Sequence, residues 1–177
     1  MESIHKLENT IEGWLEPLPH LPTNWRVWIA KNVWWIVLVG VILSVLGTLM
    51  LVAGIMTAMA AVGTVNSVYG AYGVNIVQDY SGWWYIASIV SMVFLVATIV
   101  LEAMAITPLK AQNKKGWDLL FIVFLIGVAS SVISAVLNIG SYSVIANVIG
   151  SIIGIVIGAY FLFEIRSYFK SAVIVKK

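Results

Sequence analysis

Cysteine is absent from this chain, so disulfides, thiolate metal sites and thiol nucleophiles are all excluded. Charge is scarce. Only 10% of the 177 residues are Asp, Glu, Lys or Arg, while 61% are hydrophobic. Soluble domains carry about 25% charged residues, so this chain cannot coat a water-facing surface and lipid is its expected solvent. Histidine occurs twice, as His5 and His20. The two lie far apart with no partner ligands, and no zinc site is expected. Enzyme signatures are missing too: there is no HExxH, no GxSxG and no GxxxxGK[ST]. The Lys114-Lys115-Gly116 order lacks the preceding glycine framework of a phosphate-binding loop. No catalytic, cofactor or metal residue is assigned, and nucleic-acid binding has no support.

What the chain has instead is long apolar runs. A spanning helix needs about 20 apolar residues, and four segments qualify: 33–56, 83–106, 117–138 and 144–165. Backbone groups in lipid must bond internally, so these are read as helices. Their β-branched content favours strands in water, but the runs are too long and too uniform for barrel strands, which alternate. The opening "MESIHKLENT" shows no basic region followed by an apolar core. No cleavable signal is expected, and the first span is expected to direct insertion.

The basic residues set the expected topology. With four spans, all ten Lys and Arg fall on one side: Lys6, Arg26 and Lys31 before the first, Lys110, Lys114 and Lys115 between the second and third, and Arg166, Lys170, Lys176 and Lys177 after the fourth. The positive-inside rule makes that side cytoplasmic, with both termini inside. A fifth span over the uncharged stretch 57–78 would put Lys110, Lys114 and Lys115 outside, and is rejected. Trp34, Trp35, Trp83, Trp84 and Trp117 open the first three spans, where interfacial anchors belong. The fold class is therefore an all-α membrane protein, a four-transmembrane-helix bundle (residues 23–177) preceded by an amphipathic interfacial helix and a proline-rich spacer (1–22).

That first segment places Ile4, Leu7, Ile11, Trp14 and Leu15 at helical spacing, against Glu2, Glu8, Glu12 and Glu16. A helix bound to an anionic lipid surface usually has a basic polar face; this one is acidic. Either it folds under the bundle and offsets the basic rim of Lys110, Lys114, Lys115 and Lys170, or its acids are simply solvated. Pro17, Pro19 and Pro22 favour extended chain. Thr23 or Asn24 can then cap a new helix, with a bend expected near Asn32. Residues 57–82, punctuated by Gly63, Gly70 and Gly73, are expected to extend the first span and turn back as an apolar outer loop, a lid or an oligomer contact. Pro108 is expected to end the second span at Thr107.

Lipid tails are as apolar as leucine, so membrane helices associate through small residues. Gly150, Gly154 and Gly158 form a tandem GxxxG row; Gly127, Ser131 and Ala135 repeat that spacing; Gly40, Gly47 and Gly54 recur every seven residues. These seams serve packing within one bundle or association of copies. Ionisable groups inside spans are costly and mark function. Glu102 and Glu164 lie near the cytoplasmic ends of the second and fourth spans, either as interfacial carboxylates or as a shared vestibule. Asp118 suits a helix N-terminus. Lys110, Lys114, Lys115, Arg166 and Lys170 can meet lipid headgroups.

The stretches "PLKAQNKKGWDLLF" and "FLFEIRSYFK" resemble small four-helix membrane proteins of unassigned function from bacteria with reduced genomes, over roughly residues 100–170. The resemblance implies the architecture and no activity, and carries over no site residue. The expected function is that of a non-enzymatic structural, assembly or accessory subunit, with the lipid bilayer, further copies or a membrane protein as partners. The alternative is an oligomeric transporter or channel subunit using Glu102 and Glu164.

Overall fold

A computed structural model describes residues 2–73, 82–137 and 144–169. The described residues form helices α1 (Glu2–Leu15), α2 (Thr23–Gly70), α3 (Gly82–Lys110), α4 (Lys114–Leu137) and α5 (Val144–Glu164), then a 3₁₀ turn over Arg166–Tyr168. No strand is present among them. Four of the helices are long and apolar enough to cross a membrane. Packing follows chain order: α2 lies on α3, α3 on α4, α4 on α5, and α1 touches α5.

α2 is longer than its apolar run requires. At 1.5 Å per residue its 48 residues reach about 72 Å. It is helical through Asn32, where a bend was expected. There the Asn32 side chain donates to the Trp28 carbonyl at 2.7 Å and accepts from Trp35 Nε1 at 3.0 Å. Nor does the helix stop at Met56. Residues 57–70 contain no proline and are rich in alanine, the best helix former. Thr57 and Thr64 turn their hydroxyls back onto the carbonyls of Ala53 and Ala60. The expected outer loop is therefore helical as far as Gly70; its stretch 74–81, with Asp79 and Tyr80, lies outside the described residues. At the other end Pro22, rather than Thr23 or Asn24, occupies the N-cap position, and its carbonyl accepts from Trp25 and Arg26.

The expected break at Pro108 is also corrected. α3 runs through Pro108 to Lys110. The proline removes one backbone donor, and the carbonyls at the end of α3 find partners in the turn that follows. Thr107 O accepts from Ala111 N at 3.2 Å, and Pro108 O from Asn113 N at 2.9 Å. Gln112 takes a left-handed φ of 49° to close the turn. Asn113 then caps α4, its Oδ1 accepting from Lys115 N at 3.0 Å.

The core sits where the basic residues gather. Ala30, Val33, Ala105, Leu109, Trp117, Phe121, Leu162, Ile165 and Phe169 form one buried cluster. Gly116 is what allows it. A Cβ built there would stand 2.6 Å from Leu109 N and 2.8 Å from the Pro108 carbonyl carbon. Only a glycine lets the two helix ends approach so closely. Trp117, expected as an interfacial anchor, is instead 0% exposed. Its ring stacks on Phe121 at 5.4 Å and meets Phe163 edge-on at 5.5 Å. Its Nε1–H donates to Leu162 O at 2.8 Å, so the indole's polar atom is satisfied in the core. Trp83 and Trp84 have side chains outside the described residues.

Candidate functional site

At the basic end of the bundle, α1 and the spacer lie against α4, α5 and the 3₁₀ turn through a set of ion pairs. Glu8 is 1% exposed. Its Oε1 lies 2.5 Å from Arg166 Nη2 and 3.3 Å from Lys114 Nζ. Glu12, one turn on, pairs with Arg166 Nη1. Two glutamates at this spacing repel each other on an isolated helix; here Arg166 bridges them. Lys114 also reaches Asp118 at 3.1 Å along α4. The two cations stand over the same ring: Lys114 Nζ is 5.1 Å and Arg166 Cζ 5.6 Å from the Trp117 centroid. Trp117 thus joins the core below to the charges above through cation–π contact.

A second cluster surrounds Glu164, which is 5% exposed near the end of α5. His20 Nδ1–H donates to Glu164 Oε1 at 2.6 Å. Arg26 Nε lies 3.0 Å from Oε2, but its N–H is directed at the Glu164 backbone carbonyl, 3.3 Å away. Oε2 therefore has a cation beside it and no directed hydrogen bond. Tyr160 donates its hydroxyl to Pro19 O, tying the spacer to α5. Arg26 also lies 5.9 Å from the Tyr168 ring centroid.

Two clefts flank these groups. A polar one of about 640 Å³ opens among Glu12, Glu16, His20, Arg26, Glu164 and Arg166. An apolar one of about 870 Å³ lies between α2 and α5, over α4, walled by Trp25, Trp28, Ile36, Phe124, Phe161 and Leu162.

The residues singled out in the sequence separate into two groups. Lys114, Arg166 and Glu164 come together at the basic end. Lys110 joins its edge, 5.1 Å above the Trp34 ring. Lys115 is exposed. Lys170 lies outside the described residues. Glu102 is half-buried on α3, forms no ion pair or hydrogen bond with a described residue, and does not line the polar cleft that Glu164 lines. The glycine rows are open. A Cβ at Gly40, Gly47, Gly54, Gly127, Gly150 or Gly154 would meet nothing within 4 Å, and at Gly158 only the Phe124 ring at 3.9 Å. Ser131, partly exposed, continues the α4 row. Among the described residues, Phe124 beside Gly158 is the one side chain that approaches these glycine rows within 4 Å. Among the described residues no three His, Cys, Asp or Glu side chains gather to hold a metal ion.

Sequence reading missed the roles of His20, Tyr160, Asn113 and Gly116. Asn113 carried a signal, a cap-forming residue three positions ahead of Gly116 and the apolar run that opens at Trp117. The other three depend on contacts between distant segments and left none. Comparison with protein-family models, curated proteins and solved structures finds no match to this chain.

Proposed function

We propose that this chain is a multi-pass integral protein of the cell membrane with both termini in the cytoplasm. It acts without catalysis, as a structural, assembly or accessory subunit that binds other chains through its helix faces. The observation that carries this reading is the openness of the glycine rows: close-approach surfaces on α2, α4 and α5 are left unfilled by the chain's own helices, and in lipid such surfaces associate with other helices. The positive-inside rule supports the orientation. α1 reads as an amphipathic interfacial arm. Leu7 and Trp14 are open on one side, while Glu8 and Glu12 hold Lys114 and Arg166 on the other. The arm thereby fixes the cytoplasmic end of the bundle.

The chain has no cysteine of its own, so one introduced thiol reports without background. Gly154→Cys in native membranes, under mild oxidant or a short bifunctional cross-linker, is expected to yield an adduct with a second chain, a copy or another membrane protein. Val93→Cys, exposed on α3, is the control. No adduct at 154 above that control would overturn the reading.

A small transporter or channel subunit is the second reading. A carboxylate at Glu102, half-buried in a membrane-length helix and with no ion pair or hydrogen bond to a described residue, favours it. Proteoliposome flux that falls in Glu102→Gln and Glu164→Gln would establish it; absence of flux would remove it.

A further inference from the structure

The polar and apolar clefts have no lining residue in common, but neighbouring residues of the same two segments line them. Along the spacer and the start of α2, His20 and Arg26 line the polar cleft while Leu21, Pro22 and Trp25 line the apolar one. Along the end of α5, Glu164 and Arg166 line the first while Leu162 and Ile165 line the second. Each cleft falls within the roughly 300–1,000 Å³ of ligand pockets. Two adjoining cavities of opposite polarity fit one molecule with a polar head and a hydrocarbon tail.

The unused groups specify the head. Arg26 spends only Nε on Glu164, and its two Nη groups bond to no described residue. That free edge of parallel N–H donors matches a phosphate. Glu164 Oε2 is buried without a directed hydrogen bond. Glu16, on the same cleft, is exposed and forms no ion pair with a described residue. Two carboxylates with spare acceptor capacity call for a cation that carries N–H donors. A headgroup with a phosphate and a primary ammonium supplies both. A quaternary ammonium has no N–H to give Oε2, and a glycerol headgroup offers neutral O–H donors but no cation to balance the carboxylates.

We propose that the paired clefts bind one aminophospholipid from the surrounding bilayer, its phosphate at Arg26, its ammonium at Glu164 and Glu16, and one acyl chain between α2 and α5. The proposal rests on insertion into the bilayer; the acyl chain covers Gly158, and the other glycines of the rows stay open to association.

The test places the full chain in nanodiscs of equal parts phosphatidylethanolamine, phosphatidylcholine and phosphatidylglycerol with identical acyl chains, and weighs what native mass spectrometry finds bound. The expected result is one phosphatidylethanolamine per chain, enriched roughly tenfold over phosphatidylcholine, the worth of one charge-assisted hydrogen bond. Glu16→Gln, at an exposed site with no ion pair to a described residue, is expected to shrink that preference without affecting folding. Glu164→Gln is expected to abolish it. Gly158→Leu fills the apolar cleft, where a Cβ has room beside Phe124, and is expected to lower total bound lipid several-fold. Equal retention of the three lipids, or no change in Glu16→Gln and Gly158→Leu, would overturn the proposal. A lipid-free dimer that Gly158→Leu converts to monomer would replace the lipid with a second copy. A chain that fails to enter the nanodisc would overturn membrane insertion and this site together, and is seen separately from lipid selectivity.

Discussion

Gly116→Ala sets two well-measured effects against each other, and the structure says which wins. In a helix interior, alanine is better than glycine by about 1 kcal/mol, so propensity alone makes the variant more stable. The packing says the reverse. The new Cβ would sit 2.6 Å from Leu109 N, 2.8 Å from the Pro108 carbonyl carbon and 3.0 Å from Leu109 Cα. All three are backbone atoms at the close of α3, held by the bonds from Ala111, Gln112 and Asn113. No flexible side chain can give way, so the helix ends must separate, and overpacking of this kind costs about 1–3 kcal/mol. With contacts under 3 Å to three backbone atoms, the upper part of that range applies, and the net loss is about 2 kcal/mol. For a chain of this size that corresponds to a fall in Tm of roughly 4–8 °C on the scale of folded domains.

The assay is thermal unfolding of the purified chain in mild detergent, followed by circular dichroism. Gly127→Ala serves as the matched control, because its Cβ meets nothing within 4 Å on the same helix; its Tm is expected to hold or rise. A Gly116→Ala variant as stable as the parent, or one that tracks Gly127→Ala, would refute the account of the α3–α4 approach and with it the reason for the burial of Trp117.

Two further expectations concern the same end of the molecule. Trp117→Phe keeps most of the ring packing but removes the donor to Leu162 O and weakens the contacts with Lys114 and Arg166; a loss of about 1–3 kcal/mol is expected in the same melt, for the carbonyl left unpaired. Glu8→Gln removes the buried charge that Arg166 and Lys114 share. Those partners are about a quarter exposed, which lowers the 3–5 kcal/mol typical of breaking a fully buried pair to about 2 kcal/mol. The loss is expected as faster amide exchange confined to residues 2–15, and unchanged exchange there would show that the ion pairs do not hold the arm.

The helices were legible because each apolar run exceeds what any soluble element needs, a signal that tertiary context cannot reverse. Element ends were less so. Pro108 reads as a stop in isolation, yet lies inside α3 because the turn after it supplies donors to Thr107 O and Pro108 O. Trp117 reads as an interfacial anchor because an aromatic at the head of a span looks the same whether it faces headgroups or a core. Gly116 decides the matter, through a backbone approach that only the folded hairpin reveals. The acidic face of residues 2–16 posed the right question, with Glu8 and Glu12 set opposite the stripe that holds Ile11 and Leu15. Their partner Arg166 is 154 positions beyond Glu12, and no local pattern joins them. His20 and Glu164 are separated almost as far.

The two ends of the bundle therefore differ in kind. The basic end holds the buried cluster, the stacked rings and the ion pairs. Among the described residues the far end of α2 has few such contacts. A hydrocarbon core of about 30 Å accommodates some 20 helical residues; starting from Val33, that reaches only to the region of Val52–Gly54. The remaining turns to Gly70 present Met56, Met59, Val68 and Tyr69 as exposed side chains. Apolar area left in water costs about 25 cal/mol per Å², so an upright single copy would carry that cost along several turns. Tilting can bury some of it in lipid, but α2 is packed on α3, whose 29 residues span about 44 Å, and the two must tilt together. Cover from another chain removes the cost without a steep tilt. The open Gly40, Gly47 and Gly54 row lies on the same helix as this extension, so one neighbouring helix could satisfy both, which is why association through α2 and α5 is the reading that leaves least of this surface unexplained.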